Sequence, residues 1–330
     1  MKVEQLIKDY QSGKRDFRGI NLMGANLERV HLPGIDLSDA YLGSANLSRA
    51  FLTGANLKGA FLYGANLSFA KVGEANLQNG DLTKTNLQGA YFVKANLVGA
   101  KLSGAILQNV NLRAANLAEV NLCGSDLRGI NLRSANLMGA NLSWANLTGA
   151  RLSGAQLEEA LLNNIKLSQA YMNGINLSGV DLDGVNLSET KLSGANLSGA
   201  NLVATNLSSS QLRSAILSRA NLQAANLNQS TLSKASLCEA NLSKADLSEA
   251  NLKQADLTGA NLNKATLYEA NLSQASLRGA YLWGADLSVV GIEGADFTGA
   301  SLRGATVSLE DWREVILQGA TLPDGTAYAA

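Results

Sequence analysis

The chain has 330 residues, a formal net charge of +0 from 27 Lys plus Arg against 27 Asp plus Glu, and only 5% aromatic residues. That balance argues against a strongly basic nucleic-acid binder and against a broadly acidic protein that imitates DNA, while leaving the local arrangement of charge open. Its two cysteines, Cys123 and Cys238, exclude a disulfide framework and fit a reducing compartment, so the cytoplasm is the expected location.

At the N-terminus Val3, Leu6, Ile7 and Tyr10 recur at helical spacing, and Gly13 stands where a helix C-cap belongs. The spacing predicts a short amphipathic helix over 2–12, inside an N-terminal cap of residues 1–14. The first eight residues hold no apolar stretch of signal-peptide length. No run of ~18 apolar residues follows anywhere, so no membrane insertion is expected.

From Phe17 to Leu322 every fifth residue is apolar, and all but eight of these are Leu. The residue two before each is usually Ala, as at Ala45, Ala55, Ala65 and Ala75. A period of five suits neither common element. On an α-helix five residues advance about 500°, which scatters the leucines around the circumference. On a flat strand an odd period flips the leucine to the other face at each repeat. Apolar residues alternately two and three apart fit a chain that runs briefly extended and then turns a corner. If each unit turns by about 90°, four units close a coil of 20 residues around an axis of Leu and Ala. Five of the eight non-leucine positions, Val72, Phe92, Met172, Ile292 and Trp312, differ by multiples of 20 and so share one column. About fifteen coils at ~4.8 Å each make a rod of about 75 Å.

Units such as Ala55-Asn56-Leu57-Lys58-Gly59 and Ala195-Asn196-Leu197-Ser198-Gly199 match the A(D/N)LXX signature, so the chain resembles the pentapeptide-repeat proteins over residues 15–307. The resemblance implies an all-β fold, a right-handed quadrilateral β-helix with Leu and Ala inward and a polar side chain before each Leu. The segments around Leu6–Phe17 and Gly319–Thr326 are similar to the ends of cyanobacterial members, among them a regulator of heterocyst differentiation.

Outward positions separate into four walls. In the columns of Asn26 and Asp36 the residue before each Leu is mainly Asn or Asp, and in the two alternating columns it varies freely. The wall of Leu52 carries Lys71, Lys94, Arg113, Arg133, Arg151, Lys191, Arg213, Lys234 and Lys253, with Glu74 as the one acid in that stretch and the aromatics Tyr91 and Tyr171 interleaved. Exposed aromatics beside cations suit a binding surface. Lys94, Arg113, Arg133, Arg151, Tyr171, Lys191 and Arg213 are therefore the first candidate site. On the opposite wall Tyr41, Phe61 and Tyr63, and further along Tyr281 and Trp283, form a second candidate patch.

Toward the C-terminus the chemistry changes while the frame persists. Glu310 falls where an inward Ala belongs, and a buried unpaired carboxylate is costly. Ser308 and Asp311 form a capping-box pattern, and Leu309, Trp312 and Ile316 share a helical face. A short helix of about 309–316 is expected to close the solenoid, within a C-terminal cap and tail of residues 308–330.

Catalytic chemistry finds no foothold. His31 is the one histidine, outward-facing, and a Ser-His-Asp arrangement has only that residue to build on. Cys123 and Cys238 are nearly six coils apart and cannot share a metal. Asp181 with Asp183, and Glu158 with Glu159, lack further oxygen partners at calcium-loop spacing. No GxxxxGK[ST] stretch is present, and a regular rod is expected to lack a concave apolar pocket. The reading is a protein-binding, regulatory scaffold with no cofactor and no metal, able to self-associate through its ends or its aromatic wall. The alternative is binding of nucleic acid or another polyanion along the basic wall. A third reading, suggested by family members that imitate DNA to block topoisomerases, needs a broadly acidic rod, which this chain is not.

Overall fold

The computed structural model describes residues 2–307, 312 and 314–328. It consists of two compact units, Met1–Lys166 and Leu167–Ala330. The five-residue frame runs unbroken through the division, so nothing in the sequence marks it.

The first unit opens with helix α1, Val3–Gln11. Glu4 in its first turn and Lys8 in its last oppose the helix dipole, and Leu6 on its apolar face is fully buried. The helix stops in a Schellman motif. Gly13, at φ 101°, donates its N–H to the Tyr10 carbonyl, and Lys14 donates to that of Asp9. Tyr10 ties α1 to the repeat, since its hydroxyl donates to the Pro33 carbonyl at 2.7 Å and the Arg15 guanidinium lies 3.9 Å from its ring centroid.

Every later unit follows one local plan, visible at Ala55–Gly59. Asn56 bridges in parallel to Asp36 and to Asn76, each twenty residues away. Asn56 N–H donates to the Ile35 carbonyl, and Leu57 N–H to that of Asn76. Lys58 and Gly59 then form a turn closed by Ala60 N–H on the Leu57 carbonyl at 3.1 Å. Gly59 takes φ 67°, the positive value that the third residue of such a turn requires. The chain thus runs extended for two inward residues and corners before the third. An odd period keeps one face inward because of that corner.

The Asn columns have a geometric cause. The Asn56 Oδ1 accepts the N–H of Lys58, an Asx turn that preforms the corner. Its amide Nδ2 donates to Asp36 Oδ1, and Asn76 Nδ2 donates to Asn56 Oδ1, so the amides form a ladder along the stack. The second unit repeats the device with Asn221, Asn241 and Asn261. In the same unit Asp286–Leu287 (β1) and Thr306–Val307 (β2) pair in parallel at the same spacing.

The corners tolerate large residues. Phe69, Trp144 and Val289 hold φ near +60° where Gly is commonest, and Trp144 is 65% exposed. For β-branched Val289 this backbone is strained.

Inside both units the axis is Leu and Ala, almost all shielded from solvent. Threonines that replace the inward Ala find backbone partners: Thr85 donates to the Leu82 carbonyl and Thr190 to that of Leu187. Ser210 and Ser230, one above the other in register, are buried with no partner for either hydroxyl.

The C-terminal expectations need correcting where the chain is described. Residues 308–311 and 313, which include half of the expected 309–316 helix, lie outside the described residues. Trp312 and Glu314 lie in 3₁₀ conformation, and Ile316 is back in the ladder, bridged to Asp296. Thr321 bridges to Ser301, so the repeat continues past 307 and the tail begins later than 308. Burial of Leu317 and Ala320 at inward positions draws the chain back into register. Ala327 then pairs antiparallel with Thr321, and Tyr328 N–H donates to the Ala320 carbonyl, which covers part of the last strand edge.

Leu137 is 0% exposed among its neighbours on the axis of the first unit. Leu137→Ala is expected to cost ~2–5 kcal/mol in chemical denaturation, and Leu137→Asp to abolish the cooperative transition because it places an unpaired charge on the axis. The orphaned serines predict the opposite sign: Ser210→Ala and Ser230→Ala should each raise stability by up to ~1 kcal/mol, since no hydrogen bond is lost with the hydroxyl. A thermal-melting series on these four variants checks both.

Candidate functional site

In the first unit the wall of Leu52 is built from three outward columns. The bridge column reads Phe51, Lys71, Tyr91, Asn111, Asn131 and Arg151, each paired in parallel with the next. Arg113 and Arg133 occupy the first corner position of successive coils, and Lys94 the second. Their backbones are fixed by the same bonds that fix the coils. Lys94 N–H donates to the Arg113 carbonyl, Ala114 to that of Arg133 and Leu132 to that of Arg151. Asn111 and Asn131 close the turns under the arginines by accepting the N–H groups of Arg113 and Arg133, and are themselves linked at 3.1 Å.

Lys94, Arg113, Arg133 and Arg151 are all exposed, one to a coil. Tyr91 lies over Gly73, where a Cβ would come within 3.5 Å of its ring, and stays 45% exposed. Toward α1 the column is lined with rings: His31 and Phe51 stand 5.3 Å apart, and the Lys71 ammonium lies 4.8 Å from the Phe51 centroid. In the second unit the equivalent columns bring Tyr171 next to Lys191, with exposed Arg213, Lys234 and Lys253 one to a coil beyond.

What sets these arginines apart is their lack of partners. Among the described residues Arg18, Arg29, Arg128, Arg219 and Arg278 each sit within 3.6 Å of a carboxylate. Arg15 and Arg49 lie over aromatic rings. Among the described residues Arg113, Arg133, Arg151 and Arg213 have neither. The contrast shows at Asp126, where the Arg128 guanidinium, with help from Gln108, holds the carboxyl down to about 2. No carboxylate on the basic wall does the same for Arg113, Arg133 or Arg151.

The second candidate patch is also divided between the units. In the first, the Phe61 and Tyr63 rings stack 6.1 Å apart and nearly parallel, beside Tyr41, which bridges to Phe61. Phe61 presses onto Gly43, where a Cβ would meet its ring at 2.7 Å and force the ring to move. Exposed Met23 adjoins the same shelf, a contact the repeat signature does not reveal. In the second unit Tyr281 and Trp283 are both exposed, and the Lys264 ammonium covers the Trp283 ring at 4.7 Å.

Among the described residues, hollows indent the surface where a regular rod is expected to lack a concave apolar pocket. One, of about 480 Å³, lies between α1 and the first repeats, with Val3, Ile7 and Tyr10 facing Leu27 and Val30 and with His31 at its margin. Another, of about 420 Å³, is lined by Ser198, Ser218, Arg219, Cys238 and Glu239. Burial pushes the Cys238 thiol up, away from the reactive thiolate, and no histidine lines that hollow. Among the described residues no group of three His, Cys, Asp or Glu is arranged to hold a metal, and no helix is long and apolar enough to cross a membrane.

Eight copies of a sequence model described as pentapeptide repeats match residues 20–59, 35–71, 73–109, 115–154, 155–194, 181–219, 215–254 and 255–290. The chain belongs to the pentapeptide-repeat family. The right-handed β-helix implied by that family accounts for the twenty-residue parallel ladder. Among solved structures this pentapeptide-repeat chain is similar to HetL, involved in heterocyst differentiation regulation in the cyanobacterium Nostoc sp. strain PCC 7120. The identity is 28% over 99% of this chain and 100% of that one, with a TM-score of 0.21. It is also similar to a pentapeptide repeat protein of the Arabidopsis thaliana thylakoid lumen, at 32% identity over 41% of this chain and 72% of that one, with a TM-score of 0.21. QnrB1, a plasmid-mediated fluoroquinolone resistance protein, is 18% identical over 66% and 91%, with a TM-score of 0.23. No curated protein matches. The repeat match, and not these superpositions, carries the family assignment.

Proposed function

We propose that this pentapeptide-repeat chain is a non-catalytic scaffold that binds a protein partner, in a regulatory role, through its basic wall. The reading takes α1 as the lid on the first of about fifteen coils, and the cytoplasm as its setting. The observation that carries it is the set of unpaired guanidinium groups. Arg113, Arg133 and Arg151 stand on neighbouring coils with no carboxylate of their own, while among the described residues Arg18, Arg29, Arg128, Arg219 and Arg278 are paired. Like charges held this close repel, although screening over ~8 Å makes the arrangement tolerable in the free protein. A partner carboxylate would relieve that repulsion and gain charge-assisted hydrogen bonds. Exposed Tyr91 in the first unit and Tyr171 in the second supply the aromatic contact area that favours protein interfaces.

The second reading, polyanion binding, draws support from the regular row of cations. Zero net charge weighs against it, because a polyanion binder gains from a basic field over the whole domain. DNA mimicry is disfavoured by the same wall.

The test is affinity capture with the full chain from extracts of the organism that makes it. Wild type is compared with Arg113→Glu/Arg133→Glu/Arg151→Glu and with Tyr41→Ala/Phe61→Ala/Tyr63→Ala. The expected result is a nuclease-resistant protein retained by wild type and by the aromatic variant and reduced at least about tenfold, equivalent to ~1.4 kcal/mol, by the Glu variant. The leucines behind the wall are unaltered, so circular dichroism and melting should barely change. Equal recovery by wild type and the Glu variant would refute the wall and move attention to the aromatic patch. Recovery that disappears with nuclease and falls steeply with salt would favour the polyanion.

A further inference from the structure

We propose that the basic wall of the first unit receives an acidic α-helix lying along the stacking direction, with one carboxylate facing each coil. This rests on the reading of that wall as a protein-binding face and adds the chemistry and geometry of what it binds.

The row itself sets the requirement. Four successive coils offer one exposed cation each, Lys94, Arg113, Arg133 and Arg151, and the outward columns between 91 and 154 contain no acid. Coils bridged in parallel stand about 4.8 Å apart, so the four cations span about 14 Å along the stack, spread over three neighbouring columns of the wall. An α-helix rises 1.5 Å per residue, so carboxylates at i, i+3, i+7 and i+10 lie on one face and span about 15 Å. The two rows agree to about 1 Å, well within the reach of Arg and Lys side chains. An extended peptide presents same-face residues every ~6.7 Å and would span about 20 Å over four positions, losing register after the second coil. The phosphates of duplex DNA wind around an axis that repeats every ~34 Å, and so leave a row that runs along one wall.

The surroundings of the row favour a helix too. Beside the arginines the second corner position carries only Ala114, Ser134 and Gly154, so a cylinder of about 10 Å diameter can approach closely. Each guanidinium is planar, exposed and unpaired, and can grip a carboxylate with two N–H donors. Exposed Tyr91 gives the helix an apolar edge to lie against. Glu74, in the same corner column one coil before Lys94, repels any carboxylate placed further along and so ends the acidic face there. It also favours the positive N-terminal end of the bound helix near Glu74 and the negative C-terminal end near Arg151.

The test measures binding of the full chain to two labelled Ala-rich peptides of about 20 residues, long enough to be helical. One carries Glu at i, i+3, i+7 and i+10, and the other has the same four Glu distributed around the helix. A duplex and a single-stranded oligonucleotide serve as competing probes. The proposal predicts that the one-faced peptide binds at least about tenfold tighter than its isomer. It also predicts that Arg113→Glu/Arg133→Glu/Arg151→Glu removes this preference, with melting unchanged. Equal affinity for both peptides would overturn it, because charge alone would then account for binding. Tighter binding of either oligonucleotide would overturn it in favour of a nucleic-acid face. If neither peptide binds, yet the Glu variant loses a protein that wild type captures, the acidic helix is wrong and the protein-binding wall stands. If that variant keeps the protein, the underlying reading fails as well.

Discussion

The molecule depends on one constraint, which is that an apolar residue every fifth position must reach the same axis while every backbone donor and acceptor near it finds a partner. Unpaired buried backbone groups are expensive, so the only stable solution is one in which the coils hydrogen-bond to one another. The corner after each Leu makes this possible, and the Asx turn of the preceding Asn makes the corner. Asn56 shows the economy of the arrangement. One side chain accepts the N–H that shapes its own turn and donates an amide proton to the coil before, so local turn geometry and long-range stacking are set by the same residue.

Because the inside is so uniform, the outside is free to vary without cost to the fold. Charge pairs between residues twenty apart, such as Arg219 with Glu239, close at 2.7 Å because their columns are held in register by the ladder. That same register leaves Arg113 and Arg133 stacked against each other with nothing to neutralise them. A neutral protein that pairs Arg18, Arg29, Arg128, Arg219 and Arg278 with carboxylates and leaves Arg113, Arg133 and Arg151 without one along one wall has an electrostatic asymmetry that its net charge conceals. The walls differ from one another through these departures, since the inward Leu and Ala are common to all of them.

Much of this was legible before any coordinates. The unbroken frame from Phe17, the Ala two residues earlier and the Asn columns together require a coil of twenty, and the ladder from Asp36 through Asn56 to Asn76 follows it. The helix ending at Gly13 was legible too, because its signals are local. Other features were not, for identifiable physical reasons. The pairing of Arg219 with Glu239 depends on rotamers and on a neighbour a coil away, unlike that of Arg128, whose partner Asp126 stands two residues before it where Arg133 has Asn131. The press of Phe61 onto Gly43 depends on which glycine in a column sits beneath a ring. The return of Ile316 to the ladder and the folding back of Ala327 onto Thr321 are long-range pairings that a helical pattern at Ser308–Ile316 obscures. The division after Lys166 leaves no trace in a frame that continues through it.

The central claim is that one wall, and not the repeat in general, makes the contact. Hydroxyl-radical footprinting of the full chain with and without its captured partner reads this directly, because it reports side-chain exposure and spares the backbone ladder. The account predicts protection at Tyr91 and Arg151, recurring in peptides of the same wall at a spacing of twenty residues, with Tyr41 and Tyr63 unchanged. Protection at Tyr41 and Tyr63 with Tyr91 and Arg151 left reactive would contradict it.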